Sequence, residues 1–298
     1  MLYQQIESNR RKSLALLSVF ILVILALGYV FSELLYLGYF GIFLALIIAL
    51  VSALGGYYYG DTVVLKISNA RPARKEEFPH LINTIEGLSI AAGFRAPPRA
   101  YVIDDPAPNA FATGRDPGHS AIAVTTGLLQ KLDRYELEGV LGHEMAHIKN
   151  YDTRLATLAV VLVGVAAILS DMILRGTFYG RRGGRSEEGR GGRAAVILLI
   201  VGVFFAIVAP FLTQLLRLAL SRQREYLADA DGALLTRNPD GLADALEKIS
   251  RDTNKLHPAN DATATLYIIN PFKGGLRLNT LFATHPPTQE RIKRLREM

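Results

Sequence analysis

Apolar and polar positions alternate along this chain on two scales, and the longer scale comes first. Four apolar runs stand out, at residues 14–31, 39–59, 155–170 and 194–216. The first two are each long enough to cross a bilayer as a helix, which takes about 20 residues. The third is short before Asp171 interrupts it. The fourth carries Pro210, tolerable in a membrane helix whose neighbours re-satisfy the backbone. On the shorter scale, the spacing predicts a helix over 79–92 stopped by Gly93, extended segments at 100–103, 109–113 and 120–125, and a helix opened by Asp133-Arg134-Tyr135-Glu136. That tetrapeptide reads as a capping box, with Leu132 and Leu137 as the hydrophobic staple. Leu137, Val140, Leu141 and Ile148 then recur at helical spacing. Past the fourth run, a helix reaches residue 237, a second opens at Asn238-Pro239 with Leu242, Leu246 and Ile249 inward, and a last one covers 288–296.

The polar remainder, 61–154 and 217–298, amounts to about 175 residues, enough for one core. Mostly helix with a small sheet is the expectation.

Charge refines the membrane reading. Arg10, Arg11 and Lys12 precede the first run, Lys66, Arg71, Arg74 and Lys75 follow the second, and the 32–38 turn between them has no Lys or Arg. That asymmetry puts the N-terminus and the region after residue 60 in the cytoplasm. Tyr57, Tyr58 and Tyr59 have the look of an interfacial aromatic belt. The net charge of +6 is then accounted for by the membrane surface, and no stacking-plus-basic pattern of a nucleic-acid module accompanies it. The chain has no cysteine, which excludes disulfides and thiolate metal sites. The Arg/Gly-rich stretch 181–193 opposes the positive-inside rule for a four-span chain, so the second hairpin either crosses the bilayer or dips into it.

His143-Glu144-Met145-Ala146-His147 carries the chemistry. Histidines at i and i+4 share one helix face and can reach one metal ion, and the glutamate between them can take a proton from the attacking water. Gly139 and Gly142 would let another backbone approach that face. A third ligand should arrive from elsewhere, and Glu225 is the candidate. It stands nine residues beyond the fourth run, as His147 stands eight before the third. Two straight helices rising roughly 12–14 Å from the membrane would bring them level. Asp229, one turn on, can accept the other ring proton of a ligating histidine. The competing reading makes Glu225 and Asp229 an exposed acidic face paired with Arg222 or Arg224. His80, His119 and His257 have no partner at metal spacing and read as surface residues.

His143 to Asp152, with Ser221-Arg222-Gln223-Arg224-Glu225-Tyr226-Leu227-Ala228-Asp229, resembles the membrane-bound zinc peptidases of the HtpX type, relatives of the Ste24 prenyl-protein peptidases. Asn109-Ala110-Phe111-Ala112-Thr113-Gly114 and Thr284-His285-Pro286-Pro287-Thr288, with Arg291 following, extend the resemblance over nearly the whole chain. The stretch 181–193 departs from it.

The resemblance implies a mostly α integral membrane protein with two membrane hairpins (1–60 and 155–216) and a zincin-like α+β catalytic domain with a small sheet, built from 61–154 and 217–298. One Zn2+ per chain would be held by His143, His147 and Glu225, with Asp229 behind them and Glu144 as general base. His285 would be a second oxyanion donor, and Arg291 would position the oxyanion or the substrate backbone. Asn109, Ala110, Phe111 and Ala112 would form an edge strand that takes up an extended substrate, the alternative being a core strand with Phe111 inward.

The expected protein is a zinc endopeptidase in the plasma membrane, its catalytic domain cytoplasmic, acting on misfolded or damaged membrane proteins or other unfolded polypeptides, with no nucleic acid involved. Two alternatives are a processing peptidase for a specific or lipidated substrate and a non-catalytic metal-binding adaptor. An intact Glu144 argues against the adaptor.

Overall fold

The computed structural model describes residues 2–34, 36–180, 222–257, 259, 263–271 and 286–298, with isolated positions between 196 and 208. Most of the fourth apolar run, the stretch 181–193 and His285 lie outside the described residues.

The first two apolar runs form a helical hairpin, α1 (Leu2–Leu34) and α2 (Tyr39–Ile67). Both helices are long and apolar enough to cross a membrane. Small residues recur on the buried face of α2 at Gly41, Ala45, Ala49, Ala53, Gly56 and Gly60. Such a stripe lets backbones approach closely, the usual basis of helix packing in lipid. Its consequence is visible at Gly28 of α1, where an added Cβ would overlap Ala45, and at Gly60, where it would come 2.9 Å from Thr157.

A four-stranded sheet follows the hairpin. Its strands are β1 (Ala70–Pro72), β2 (Arg99–Ile103), β3 (Ala110–Asp116) and β4 (His119–Thr125), in the order β1-β2-β4-β3. β2 and β4 are parallel, and the other pairs are antiparallel. α3 (Pro79–Ala92) connects β1 to β2, and the short α4 (Thr126–Lys131) follows β4. β3 is therefore an outer strand of the sheet.

Both faces of the sheet are covered, so alternate residues enter two different cores. Val102, Ala112, Ile122 and Val124 pack with α3, α5 (Arg134–Lys149), α8 (Pro239–Arg251) and α9 (Thr288–Arg296). Ile103, Phe111, Ala121 and Ala123 pack on Val64 and Leu65 of α2 and on Ala156 and Val160 of α6 (Asp152–Gly180). α2 and α6 thus rest directly on the sheet. Farther along, Phe20, Ile24, Ala49 and Leu162 join α1, α2 and α6 in a third cluster. Tyr57 and Tyr58 stand at the junction, under the guanidinium groups of Arg154 and Arg115.

Asp171 ends the apolar run, and it pairs at 2.7 Å with Arg175, one turn on, within α6, which runs on through both. One expectation needs correction: the motif helix does not run straight towards the membrane. α5 ends at a corner where Tyr151 adopts φ +59°, and α6 leaves at an angle of 80°. The straight-rod construction used to level Glu225 with the histidines therefore does not hold.

Candidate metal centre

α5 begins as its sequence dictates. Asp133 accepts from the Glu136 N–H at 3.0 Å, and the Glu136 carboxylate accepts from the Asp133 N–H at 2.8 Å. The pair satisfies two of the orphan donors of the first turn. The helix then crosses the middle of the domain, and its glycines decide what lies against it. A Cβ on Gly139 would sit 2.5 Å from the Leu242 backbone nitrogen. Gly142 faces Gly232 of α7 (Arg222–Thr236), where a Cβ would sit 2.8 Å from the His143 nitrogen. This glycine-on-glycine crossing brings α7 to the histidine face, and it replaces the levelling argument as the reason Glu225 arrives there.

His143, His147 and Glu225 offer ligand atoms that all lie within 4.8 Å of one another. The two Nε2 atoms are 3.1 Å apart, and Glu225 oxygens lie 3.9 Å from that of His143 and 3.6 Å from that of His147. A tetrahedral zinc with bonds near 2.0–2.1 Å separates its ligands by about 3.3 Å. The donor set fits such an ion. Glu225 and Asp229 are both buried, so neither belongs to an exposed acidic face.

Each histidine has its other nitrogen occupied. His143 Nδ1 is 2.9 Å from Asp229, and His147 Nδ1 is 3.0 Å from Asp152 at the start of α6. This arrangement leaves both Nε2 atoms for a metal and raises ligand basicity. Behind Asp229 stands Arg291, 1% exposed, which donates from Nε at 2.9 Å and from Nη2 at 2.7 Å to that carboxylate, and from Nη1 to the Ile268 carbonyl at 3.0 Å. Arg291 is thereby held to Asp229, with Nη2 also 3.4 Å from His143 Nε2 and Nη1 3.9 Å from a Glu225 oxygen.

The local field suits a cation. Burial lowers the pKa of His143, and Arg291 and His147 add to this against Asp229, bringing it down to about 4. Burial alone would also lower His147, but Asp152, Glu225 and Glu144 outweigh it and raise the pKa to about 9. Glu144, 2% exposed, is pushed up to about 7, chiefly by burial and further by Glu225. Burial would raise Asp229 too, but Arg291 and His143 hold it down at about 2.

The Ala112 backbone on β3 faces the Glu144 carboxylate across a shared cleft and favours its charged form. The candidate base thus lies beside the outer strand. Ala112, the two histidines, Glu144 and Glu225 line one cleft, closed on its far side by Thr265, Leu266 and Ile268.

The strand itself is less open than its position suggests. The Ile268 N–H donates to the Ala110 carbonyl at 3.0 Å, and the Asn109 side-chain amide donates to the Ile269 carbonyl at 2.9 Å. Gly114 N–H is taken by Thr157 Oγ1 at 3.2 Å. Phe111 is fully buried and stacks edge-on against Tyr267 at 5.1 Å. Asn109 and Ala110, expected to receive substrate, are thus occupied by the chain's own segment 265–269, and Phe111 is a core residue.

Asp152, Asn9, Arg224 and the 265–269 segment are site residues that sequence reasoning did not assign. Asp152 had one available signal, a carboxylate five residues beyond His147 at the next helix start.

A buried base between two imidazoles, a third ligand, a carboxylate, from a second helix and an adjoining strand together define a metallopeptidase, here set on a membrane hairpin. The chain belongs to peptidase family M48, whose model matches residues 75–298. A protein named Protease HtpX homolog from Dictyoglomus thermophilum is 50% identical over 296 residues, 99% of this chain and 94% of its own length. One of the same name from Thermoanaerobacter pseudethanolicus is 43% identical, covering 100% and 98%. Among solved structures, the crystal structure of S. mikatae Ste24p is similar to this chain at 20% identity and a TM-score of 0.48, over 98% of this chain and 67% of that one. This chain is accordingly a membrane metalloprotease.

Proposed function

We propose that the protein is a zinc-dependent endopeptidase of the plasma membrane, with a cytoplasmic catalytic domain, that cleaves misfolded or damaged membrane proteins. The observation that carries the reading is Glu144. Its carboxylate lies in the same cleft as three converging ligand atoms and faces the strand beside them. A merely structural metal site has no use for a buried carboxylate there, since an unpaired charge in the interior is costly.

When bound, zinc polarises the scissile carbonyl and the attacking water. Glu144 takes the proton of that water and returns it to the leaving amine. Asp229 and Asp152 keep the two imidazoles turned towards the ion. Arg291 keeps Asp229 charged and in place. His285 remains the candidate oxyanion donor on its motif alone. A substrate segment would add to β3 after 265–269 leaves, since that segment holds the strand's free carbonyl at Ala110. Such a latch limits cleavage of passing soluble proteins.

Glu144→Gln tests the mechanism. It should retain one metal per chain and lose about 10²–10⁴-fold in cleavage of casein; cleavage at the wild-type rate would refute the assignment. Orientation is tested with Tyr36→Cys, in the turn between α1 and α2 of a chain without cysteine. A membrane-impermeant thiol reagent should label it in intact cells. Labelling only after lysis would reverse the topology.

A further inference from the structure

The first apolar helix does more than lie beside the metal centre. Asn9, near the end of α1 that meets the sheet domain, is wholly buried. Its side-chain amide donates to Asp152 Oδ1 at 2.7 Å and to the Asn150 carbonyl, at the end of the motif helix, at 2.9 Å. Its side-chain Oδ1 accepts from Arg224 Nη1 at 3.1 Å, and the same nitrogen lies 3.2 Å from Asp152 Oδ1. One asparagine thereby joins three segments 141, 143 and 215 residues away. Both its donor and acceptor groups are in use, as the burial of an amide requires.

These partners are the immediate supports of two metal ligands. Asp152 uses its other oxygen, Oδ2, to hold His147 Nδ1 at 3.0 Å. Arg224 immediately precedes Glu225 on α7. The Asn150 carbonyl fixes the turn just past His147, where Tyr151 takes its left-handed conformation beneath the Arg10 guanidinium, 4.8 Å from the ring centre. A structural contact between helices would need only the Asn150 bond. Recruiting both carboxylate oxygens of Asp152, one to the membrane helix and one to the imidazole, sets the carboxylate plane and through it the ring.

We propose that Asn9 is a positioning residue for the metal, acting on His147 through Asp152 and on Glu225 through Arg224, so that the first membrane helix is part of the metal site. The inference rests on the zinc reading given above. Losing the Asn9 amide leaves Asp152 Oδ1 held by Arg224 alone, at 3.2 Å, and leaves Arg224 without one of its two acceptors. The Asp152 carboxylate can then rotate, and His147 Nε2 loses its fixed aim. Removal of such outer supports costs about 10–100-fold in metal affinity.

The experiment uses the full-length protein in detergent and measures zinc affinity by chelator competition, together with the visible spectrum of the cobalt(II)-loaded form. Asn9→Ala should bind zinc about 10–100-fold more weakly and alter the cobalt spectrum. Asp152→Asn should do likewise, and the double variant should lose less than the two single losses combined, since the route to His147 is shared and coupled groups do not add. Ser13→Ala, which removes a neighbouring hydroxyl bonded only to the Asn9 carbonyl among the described residues, should leave both readings unchanged. Should Asn9→Ala fail to fold, Asn9→Asp replaces it: it keeps an acceptor for Arg224 but sets a second carboxylate against Asp152, and the same losses are expected. Unaltered affinity and spectrum in the folded variant, or full additivity with Asp152→Asn, overturns the proposal. A wild-type protein that binds no zinc would instead overturn the function reading, so the two failures are told apart.

Discussion

The two motif histidines stand one turn apart on one helix, yet they are held from opposite ends of the molecule. His143 leans on Asp229 and, behind it, on Arg291 from the last helix. His147 leans on Asp152 and, behind it, on Asn9 from the first membrane helix and Arg224. The consequences are opposite in sign. Burial and Arg291 depress the His143 pKa to about 4, while a surround of carboxylates raises that of His147 to about 9. Spacing along a helix places ligands, but the charge that stands behind each decides how it meets a cation.

The largest effect is expected where the two sides meet. Glu225 lies within reach of both imidazoles, so Glu225→Ala should remove a ligand from each half at once. If zinc binding is worth about 10–16 kcal/mol over its ligands, losing one should weaken it by about a thousandfold. Metal analysis of the purified variant checks this. Stoichiometric metal held as tightly as in the wild type would remove Glu225 from the site.

The His143 side can be broken alone. Arg291 and Asp229 are both almost wholly buried, so Arg291→Met would strand a buried carboxylate. Removing one partner of such a pair costs about 3–5 kcal/mol. Thermal unfolding should show the loss. If stability were unaffected, the rear clamp would not be what holds Asp229.

The distance between the two sides depends on the glycine crossing. In Gly232→Ala the new methyl meets the backbone of Gly142 and His143, which has no room to move aside as a flexible side chain would. Overpacking of this kind costs about 1–3 kcal/mol. Because α7 carries Glu225, the displacement should also lower zinc affinity, read by chelator competition. A stability loss with metal affinity intact would show that the helices separate without moving the ligand.

What could be read beforehand follows the range of the interactions. The capping box, the His face of α5, the glycines opposite α7 and α8 and the extended segments are local patterns, and each recurs in the structure, the strand ends shifted by up to three residues. Asp229 was legible because it lies one turn from Glu225. The expectation that Glu225 would join the histidines was met, but for a different reason, since the corner at Tyr151 is invisible to a count of helical rises. Asn9, Asp152 and Arg224 form a network across more than 140 residues in which no spacing rule applies. The pairing of Arg291 with Asp229 was not legible, because a motif gives a residue's company but not the direction its side chain takes. Segment 265–269 has no periodicity that would mark it as a strand partner, and its role comes from the Ile268 and Ile269 backbone bonds to Ala110 and Asn109 and from the Tyr267 ring packed on Phe111.

The last contrast is between the rear of the site and its front. The rear is locked by buried ion pairs, whereas the front is held by hydrogen bonds between Asn109, Ala110 and the 268–269 backbone. Net, such bonds contribute about 0.5–1.5 kcal/mol each. Asn109→Ala removes the side-chain bond to Ile269 while leaving the Ile268 to Ala110 bond and the Tyr267 packing in place. A loss of about 1 kcal/mol would raise the population with the segment released by about fivefold. Cleavage of an unstructured peptide should therefore rise by about that factor, with zinc affinity unchanged because no ligand or support has moved. Faster cleavage together with weaker metal binding would mean that front and rear are coupled. Slower or equal cleavage at equal stability would mean that the segment is a wall of the substrate cleft and not a latch upon it.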